Sequence, residues 1–276
     1  MTKTSPDIDA YLARIGYRGP KSATRETLDA LHRLHPAAIA FENLDAFLRR
    51  PVPVAPGQIA AKLVASRRGG WCFEHNILFS TMLVALGFRV TGLAARVVWG
   101  RPADAVSPRS HMLLKVDLDG DTFIADVGFG GLTQTAPLIL EPGLEQQTPH
   151  ERFRFVEMDG AYRSQALVGG EWRTLYRFDL QEQFLVDYEI TSHYLSTHPG
   201  SPFLSTLIAA RPFDGGRHAL LGNRLTTRHE DGRAEQTLAP SPEALRTLLE
   251  SVFELDVPDP DRFDATTREA GLFGGG

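Results

Sequence analysis

The chain has 276 residues, of which 42% are hydrophobic and 23% charged, and it carries a formal net charge of −5 at pH 7. That balance sustains a buried core and excludes wholesale disorder, while the negative charge without a long basic run argues against nucleic acid or an anionic membrane as the main partner. The length exceeds what one hydrophobic core usually organises, so two or three subdomains are expected.

The N-terminal segment MTKTSPDIDAYLARIG has neither a signal-peptide core nor the Arg-rich, acid-poor pattern of a transit peptide. From Asp7 to Leu86 the apolar spacing is helical, with helices expected over Ile8–Ile15, Arg25–His35, Gln58–Ser66 and Cys72–Leu86. Gly19-Pro20, Pro36 and the cluster Pro51-Val52-Pro53-Val54-Ala55-Pro56 separate them. The longest apolar run, Ile77 to Leu86, is broken by Ser80 and Thr81 and is too short to cross a bilayer.

After Gly87 the texture changes to short runs rich in β-branched and aromatic residues, giving expected strands Arg89–Val98, His111–Leu118, Thr122–Val127, Phe153–Glu157, Tyr162–Val168 and Glu171–Phe178. Asp119-Gly120 and Gly169-Gly170 read as hairpin turns between such runs. Beyond Asp187 short strands such as Leu221–Arg228 mix with helices such as Ser241–Phe253, and the tail Gly271–Gly276 reads as mobile.

Cys72 is the only cysteine, so no intramolecular disulfide can form, and with no export signal the chain reads as cytoplasmic. If a helix begins at Trp71 or Cys72, the sulfur sits in its first turn, where free N–H groups and the positive end of the dipole favour a thiolate. Gly69 and Gly70 would let the backbone turn tightly and leave the sulfur approachable. The plainer alternative is a small buried hydrophobe.

A cysteine nucleophile needs a base and a group to orient that base. In a hairpin turning at Asp119-Gly120, Leu118 pairs with Asp121 and Leu113 faces Asp126. His111 then lies on the same face as Asp126 and diagonal to it, within hydrogen-bonding reach, while Met112, Leu114, Val116 and Leu118 share the opposite, apolar face with Phe123, Ala125 and Val127. Asp126 lies in an apolar run and needs a partner; Arg96 is an equally good one on chemical grounds. His75, one turn beyond Cys72, is a rival base but reads better as a packing histidine. A phosphate loop, CxxC, HExxH and GxSxG are all missing, so neither a metal nor a nicotinamide cofactor is expected.

The blocks Phe41-Glu42-Asn43-Leu44, RGGWCFEHN (68–76), Ser110-His111-Met112, DVGFGG (126–131) and STHPGSPF (196–203) together resemble the arylamine N-acetyltransferase family, in the family's order over about three quarters of the chain. The resemblance implies an α+β protein with a papain- or transglutaminase-like catalytic core: a helical bundle over residues 1–87 carrying the nucleophile, a β-barrel over 88–195 carrying the histidine and aspartate, and an α/β lid over 196–276. It implies a Cys72–His111–Asp126 triad, an ion pair between Arg68 and Glu42 that braces the nucleophile loop, an aromatic-acceptor slot lined by Phe41, Val97, Phe129 and Phe203, and Ser110 and Gly130 beside the pantetheine arm of coenzyme A. From composition alone, ordinary core packing is the better reading of each of those residues. The implied activity is acetyl transfer from acetyl-CoA to arylamines and arylhydrazines by a ping-pong route through acetyl-cysteine. A macrolactam-forming amide synthase, a cysteine hydrolase or transglutaminase-like enzyme, and a non-catalytic binding module on the same fold are the alternatives.

Overall fold

The computed structural model describes residues 7–273; the last three residues of the glycine-rich tail lie outside that range. Two short helices open the chain, α1 (Ile8–Arg14) and α2 (Arg25–Ala38), the second capped by Thr24, whose hydroxyl accepts the Thr27 N–H at 3.3 Å. Contrary to the expected stop at His35, α2 runs through Pro36 to Ala38. The proline sits in the last turn, where its missing N–H removes a single helical bond.

A two-residue strand β1 (Phe41–Glu42) follows, then α3 (Leu44–Phe47) and α4 (Pro56–Ala60). α4 begins two residues before the expected Gln58, with its proline at the first helical position, and its continuation Ala61–Ala65 opens into wider π-type turns. Next comes α5 (Cys72–Ala85), whose apolar residues are not confined to one stripe and which is buried over most of its length, with Val84 and Ala85 exposed in its last turn: β3, described below, covers one face and α4 another.

β2 (Arg89–Val97), β3 (Arg109–Leu118), β4 (Asp121–Ala125), β5 (Leu138–Ile139), β6 (Gln146–Gln147), β7 (Arg152–Met158), β8 (Ala161–Val168) and β9 (Glu171–Phe178) form an eight-stranded antiparallel sheet in the order β5-β4-β3-β2-β9-β8-β7-β6. The sheet curls nearly closed. Across the gap between its edge strands, the Gln146 side chain bonds both the N–H and the C=O of Ile139, at 2.8 and 2.9 Å. Leu93, Leu113, Ile124, Phe153, Phe155, Tyr176 and Phe178 fill the interior.

The β3–β4 hairpin has the anticipated register, Leu118 opposite Asp121 and Leu114 opposite Ala125. Its turn residues Asp119 and Gly120 have φ of 53° and 93°, the two positive values a type I′ turn requires. The Gly169-Gly170 turn between β8 and β9 likewise has two positive φ values, 61° and 82°.

After α6 (Leu185–Thr197) the chain builds β10 (Ile208–Phe213), β11 (Gly216–Leu221), β12 (Arg224–His229) and β13 (Ala234–Leu238), covered by α7 (Pro242–Phe253) and α8 (Pro260–Glu269). The distant β1 completes this second sheet by pairing with β10, Phe41 opposite Ala210. β1 also holds the nucleophile loop: the Glu42 N–H donates to the Gly70 carbonyl at 2.8 Å, and Phe41 bridges to Gly70. One two-residue strand thus ties the segment in front of Cys72 to the C-terminal sheet.

Candidate active site

α5 starts at Cys72 itself. Its cap residue is Trp71, whose N–H donates to the Glu74 carboxylate at 3.1 Å, and the Cys72 N–H, at the first helical position, has no acceptor within the helix. The two glycines before it serve another purpose than the expected tight turn and open approach to sulfur. Neither has positive φ; the left-handed residue is Arg67, at φ 53°. A Cβ on Gly69 would strike the Ala40 carbonyl and one on Gly70 would meet the Glu74 carboxylate at 2.7 Å, so both glycines are demanded by close packing of the loop against β1 and α5.

Two cations and three carboxylates brace this loop from below. Arg68 pairs with Glu42 at 2.9 Å, as expected, and also with Asp45 at 3.2 Å; Lys62, from the wide-turn segment, pairs with Asp45 at 2.7 Å and with Glu74 at 2.8 Å. Burial works against both cations, yet the surrounding carboxylates hold them more firmly protonated than in water. Lys62, Asp45 and Glu74 went unrecognised in the sequence because their partners lie across a fold that local spacing does not encode.

The β3–β4 hairpin brings the other two groups to the sulfur. His111 Nε2 donates to Asp126 Oδ2 at 2.7 Å, and Arg96, the rival partner, bonds the Ser107 carbonyl instead. Burial disfavours the charged imidazole, but the Asp126 charge and hydrogen bond, with a further contribution from Cys72, push His111 up to about 10. Burial likewise disfavours the Asp126 carboxylate, and His111, the Gly128 N–H and Asn76 together hold it below its ordinary value. The Cys72 sulfur lies 3.8 Å from the Ser110 carbonyl oxygen, its hydrogen-bond partner in this state. All three side chains are enclosed: Cys72 is 5%, His111 3% and Asp126 0% exposed.

Other positioning contacts carry no local signal. Asn76, one turn after Cys72, donates to Asp126 Oδ1 at 3.1 Å and to the Met112 carbonyl at 2.8 Å, and accepts the Val127 N–H at 3.2 Å, stitching α5 to both strands of the hairpin. A polar residue at i+4 inside an apolar helix was the available hint. His32 of α2 accepts the Asp126 N–H on Nε2 at 3.1 Å, which puts its own proton on Nδ1; burial lowers it to about 3, so it is neutral. Gly128 lets the two elements touch, since a Cβ there would stand 2.9 Å from Cys72 Cα and 2.9 Å from Asn76 Nδ2. His75 has the packing role expected of it: its Nδ1 meets His35 Nε2 at 3.0 Å, and its Nε2 points at the Ala40 carbonyl, 3.2 Å away.

A family model described as N-acetyltransferase matches residues 24–262. The chain is 42% identical over 257 residues to an arylamine N-acetyltransferase of Mycobacterium tuberculosis, covering 92% of this chain and 90% of the relative. It belongs to the arylamine N-acetyltransferase family. An Escherichia coli member is 39% identical over 256 residues, covering 92% and 91% of the two chains. The solved structure of the Mycobacterium marinum arylamine N-acetyltransferase in complex with CoA superposes with a TM-score of 0.92 at 39% identity, over 96% of this chain and 99% of that one.

Around the cysteine of this family member the candidate pocket residues divide into two groups. Phe129 stands edge-on to His111 with ring centroids 5.2 Å apart, and Gly130, at φ 83°, presents its bare Cα side to the Phe41 ring, where a Cβ would come to 3.5 Å. Val97 lies opposite Tyr176, whose ring is 5.2 Å from that of His111. Phe203 lies on the other flank, edge-on to Trp71 at 5.2 Å, in a segment that Asn43 anchors by donating to the Phe203 carbonyl at 2.9 Å. Ser110, half-buried, immediately precedes His111. A cavity of 590 Å³ between the 49–58 segment and α6 is lined by Arg49, Val52, Gln58 and His193 and does not reach Cys72.

Proposed function

We propose that Cys72, His111 and Asp126 are the catalytic residues of an acetyl-CoA:arylamine N-acetyltransferase working through an acetyl-cysteine intermediate. The observation that carries this reading is the His111–Asp126 pair of 2.7 Å set against a cysteine at the first turn of a buried helix. An imidazole pushed up to about 10 stays protonated at neutral pH and can balance a thiolate beside it.

In the first step the thiolate attacks the thioester carbonyl of acetyl-CoA. The Cys72 N–H is aimed at the developing oxyanion, and collapse expels CoA and leaves acetyl-Cys72. In the second, the amine attacks the new thioester, its proton passes through His111, and the thiolate is regenerated as the acetamide leaves. Asp126 keeps the imidazole oriented and stabilises its cationic form, while Asn76, His32 and the Gly128 N–H hold Asp126 in place. Thiol-for-thiol exchange is close to isoenergetic and amide formation is downhill, so a thioester donor suits a cysteine nucleophile.

Aromatic amines and hydrazines are the acceptors in this reading. Phe41, Phe129 and Phe203, with Val97 behind, supply flat apolar contacts beside the nucleophile, and Ser110 and Gly130 flank the pantetheine arm of the donor. A cytoplasmic site of action belongs to the same proposal, resting on the single unpaired cysteine. Steady-state rates with acetyl-CoA and an arylhydrazine varied together test it. Parallel double-reciprocal lines are expected; intersecting lines would show that both substrates must bind before chemistry and would overturn the intermediate.

A further inference from the structure

Four arginines stand side by side across four neighbouring strands. Arg109 of β3 is opposite Arg96 of β2, Arg96 is opposite Arg177 of β9, and Arg177 is opposite Arg163 of β8. At about 4.8 Å per strand the row is roughly 14 Å long. It occupies the outer face of the barrel: Ala95, Tyr176 and Ser164, their chain neighbours, are buried, whereas the arginines are half-exposed.

Like charges directly opposed destabilise a sheet, and this row lies on a chain whose net charge is −5. Within the described residues one carboxylate pairs with it, Asp179, 2.6 Å from Arg109. Arg96 and Arg177 donate to the Ser107 and Ala105 carbonyls, which satisfies donors and neutralises no charge. The Arg177 Nε is buried without an acceptor, and Arg163 makes neither a hydrogen bond nor an ion pair among the described residues. Between the four guanidiniums lies a cavity of 250 Å³, its rim completed by the exposed Met158 and Asp159.

We propose that this row is a binding site for a ligand carrying two or more phosphate groups. Planar guanidinium forks match phosphate oxygens in pairs, and a row of this length engages several phosphates at once rather than a single small anion. Asp159 and Asp179 at the rim stand against an anion, and Asp179 already occupies Arg109, which leaves Arg96, Arg177 and Arg163 for the phosphates. Two sources share this chemistry: the phosphate-bearing end of coenzyme A, or an independent nucleotide polyphosphate. Arg109 adjoins Ser110, whose carbonyl oxygen is 3.8 Å from the Cys72 sulfur, so the row starts one residue from the strand segment that touches the nucleophile. The coenzyme A arm rests on the acetyltransferase reading above; the phosphate site does not.

The test is calorimetric titration of the full chain with 3′,5′-ADP and with pyrophosphate at low salt, comparing wild type with Arg163→Gln and Arg163→Glu. Arg163 has no partner to lose, and a glutamate there can pair with Arg177, so Arg163→Glu should melt no lower than wild type. The expected result is binding that weakens with salt, falls roughly tenfold in Arg163→Gln and disappears in Arg163→Glu. If KM for acetyl-CoA rises in the same variants while that for S-acetylpantetheine, which lacks phosphates, is unchanged, the ligand is coenzyme A. If both KM values are unchanged while ADP binding is lost, it is a separate nucleotide. Absence of binding in wild type, or binding that survives Arg163→Glu, would overturn the site. Failure to turn over acetyl-CoA at all would count against the acetyltransferase reading and leave this titration decisive.

Discussion

Two buried charged assemblies meet at the first turn of α5, and they are built to opposite ends. The Lys62–Arg68–Glu42–Asp45–Glu74 cluster sets each of its charges against an opposite one at 2.7 to 3.2 Å, and the Arg68 Nε is its one buried polar atom without an acceptor among the described residues. The His111–Asp126 pair is held on the aspartate side by the Asn76 amide and the Gly128 N–H, while the imidazole gives Asp126 only its Nε2 and keeps Nδ1 free. Charges turned on one another make the first a brace; an imidazole nitrogen left free of the aspartate makes the second reactive. Buried ion pairs contribute little net stability but are costly to break singly, which suits a brace whose task is geometric.

That contrast breaks apart under substitution. Cys72→Ala should abolish acyl transfer while leaving the fold intact, since it removes a single buried atom; activity above about one part in 10⁴ of wild type would sink the nucleophile assignment. Asp126→Asn should lower kcat by roughly 10³- to 10⁴-fold with KM little changed, because His111 then loses the largest of the groups that offset its burial and the imidazolium is disfavoured.

The pH dependence sharpens the same point. His111, raised from 6.5 to about 10, contributes stability that is complete below 6.5 and fades as pH climbs through 10. Asp126, depressed below 3.8, contributes stability present above 3.8 and lost on acidification through its folded value. The stability gap between wild type and Asp126→Asn in urea melts should therefore be widest between these limits and narrow at both ends; a gap flat with pH would contradict the charged pair.

Breaking the brace should read out differently. Arg68→Ala leaves Glu42 and Asp45 short of a cation and should cost about 3–5 kcal/mol, lowering Tm by on the order of 10 °C, with activity falling in step with folded protein. The mildest change is Gly128→Ala, whose Cβ would force the Asp126 strand away from Cys72 Cα; about 1–3 kcal/mol and a drop in kcat larger than the loss of folded protein are expected.

The reactive half of this comparison was more legible in the sequence than the brace. Asp119-Gly120 set the turn type, the turn set the register, and the register put His111 and Asp126 on one face, all within a single hairpin. Cys72 stood out by being alone. The brace depends on contacts between Glu42, Lys62 and Arg68 that no periodicity reports, and of these only the Arg68–Glu42 pair was anticipated, through family resemblance. For the same reason the two-residue β1, which pairs with β10 across the length of the chain, had no signal, and α2 overran Pro36 because a proline in a last turn interrupts little. The loop glycines stand out in the sequence, but the carbonyl and the carboxylate whose closeness demands them do not.

The most direct measurement is the intact mass of the protein after a brief incubation with acetyl-CoA, followed by peptide mapping. The account predicts one added acetyl group, confined to Cys72, missing in Cys72→Ala, and discharged as acetylhydrazide when an arylhydrazine is added. Rapid acetyl transfer to the hydrazine without any acetylated Cys72, trapped by quenching at early times, would contradict it.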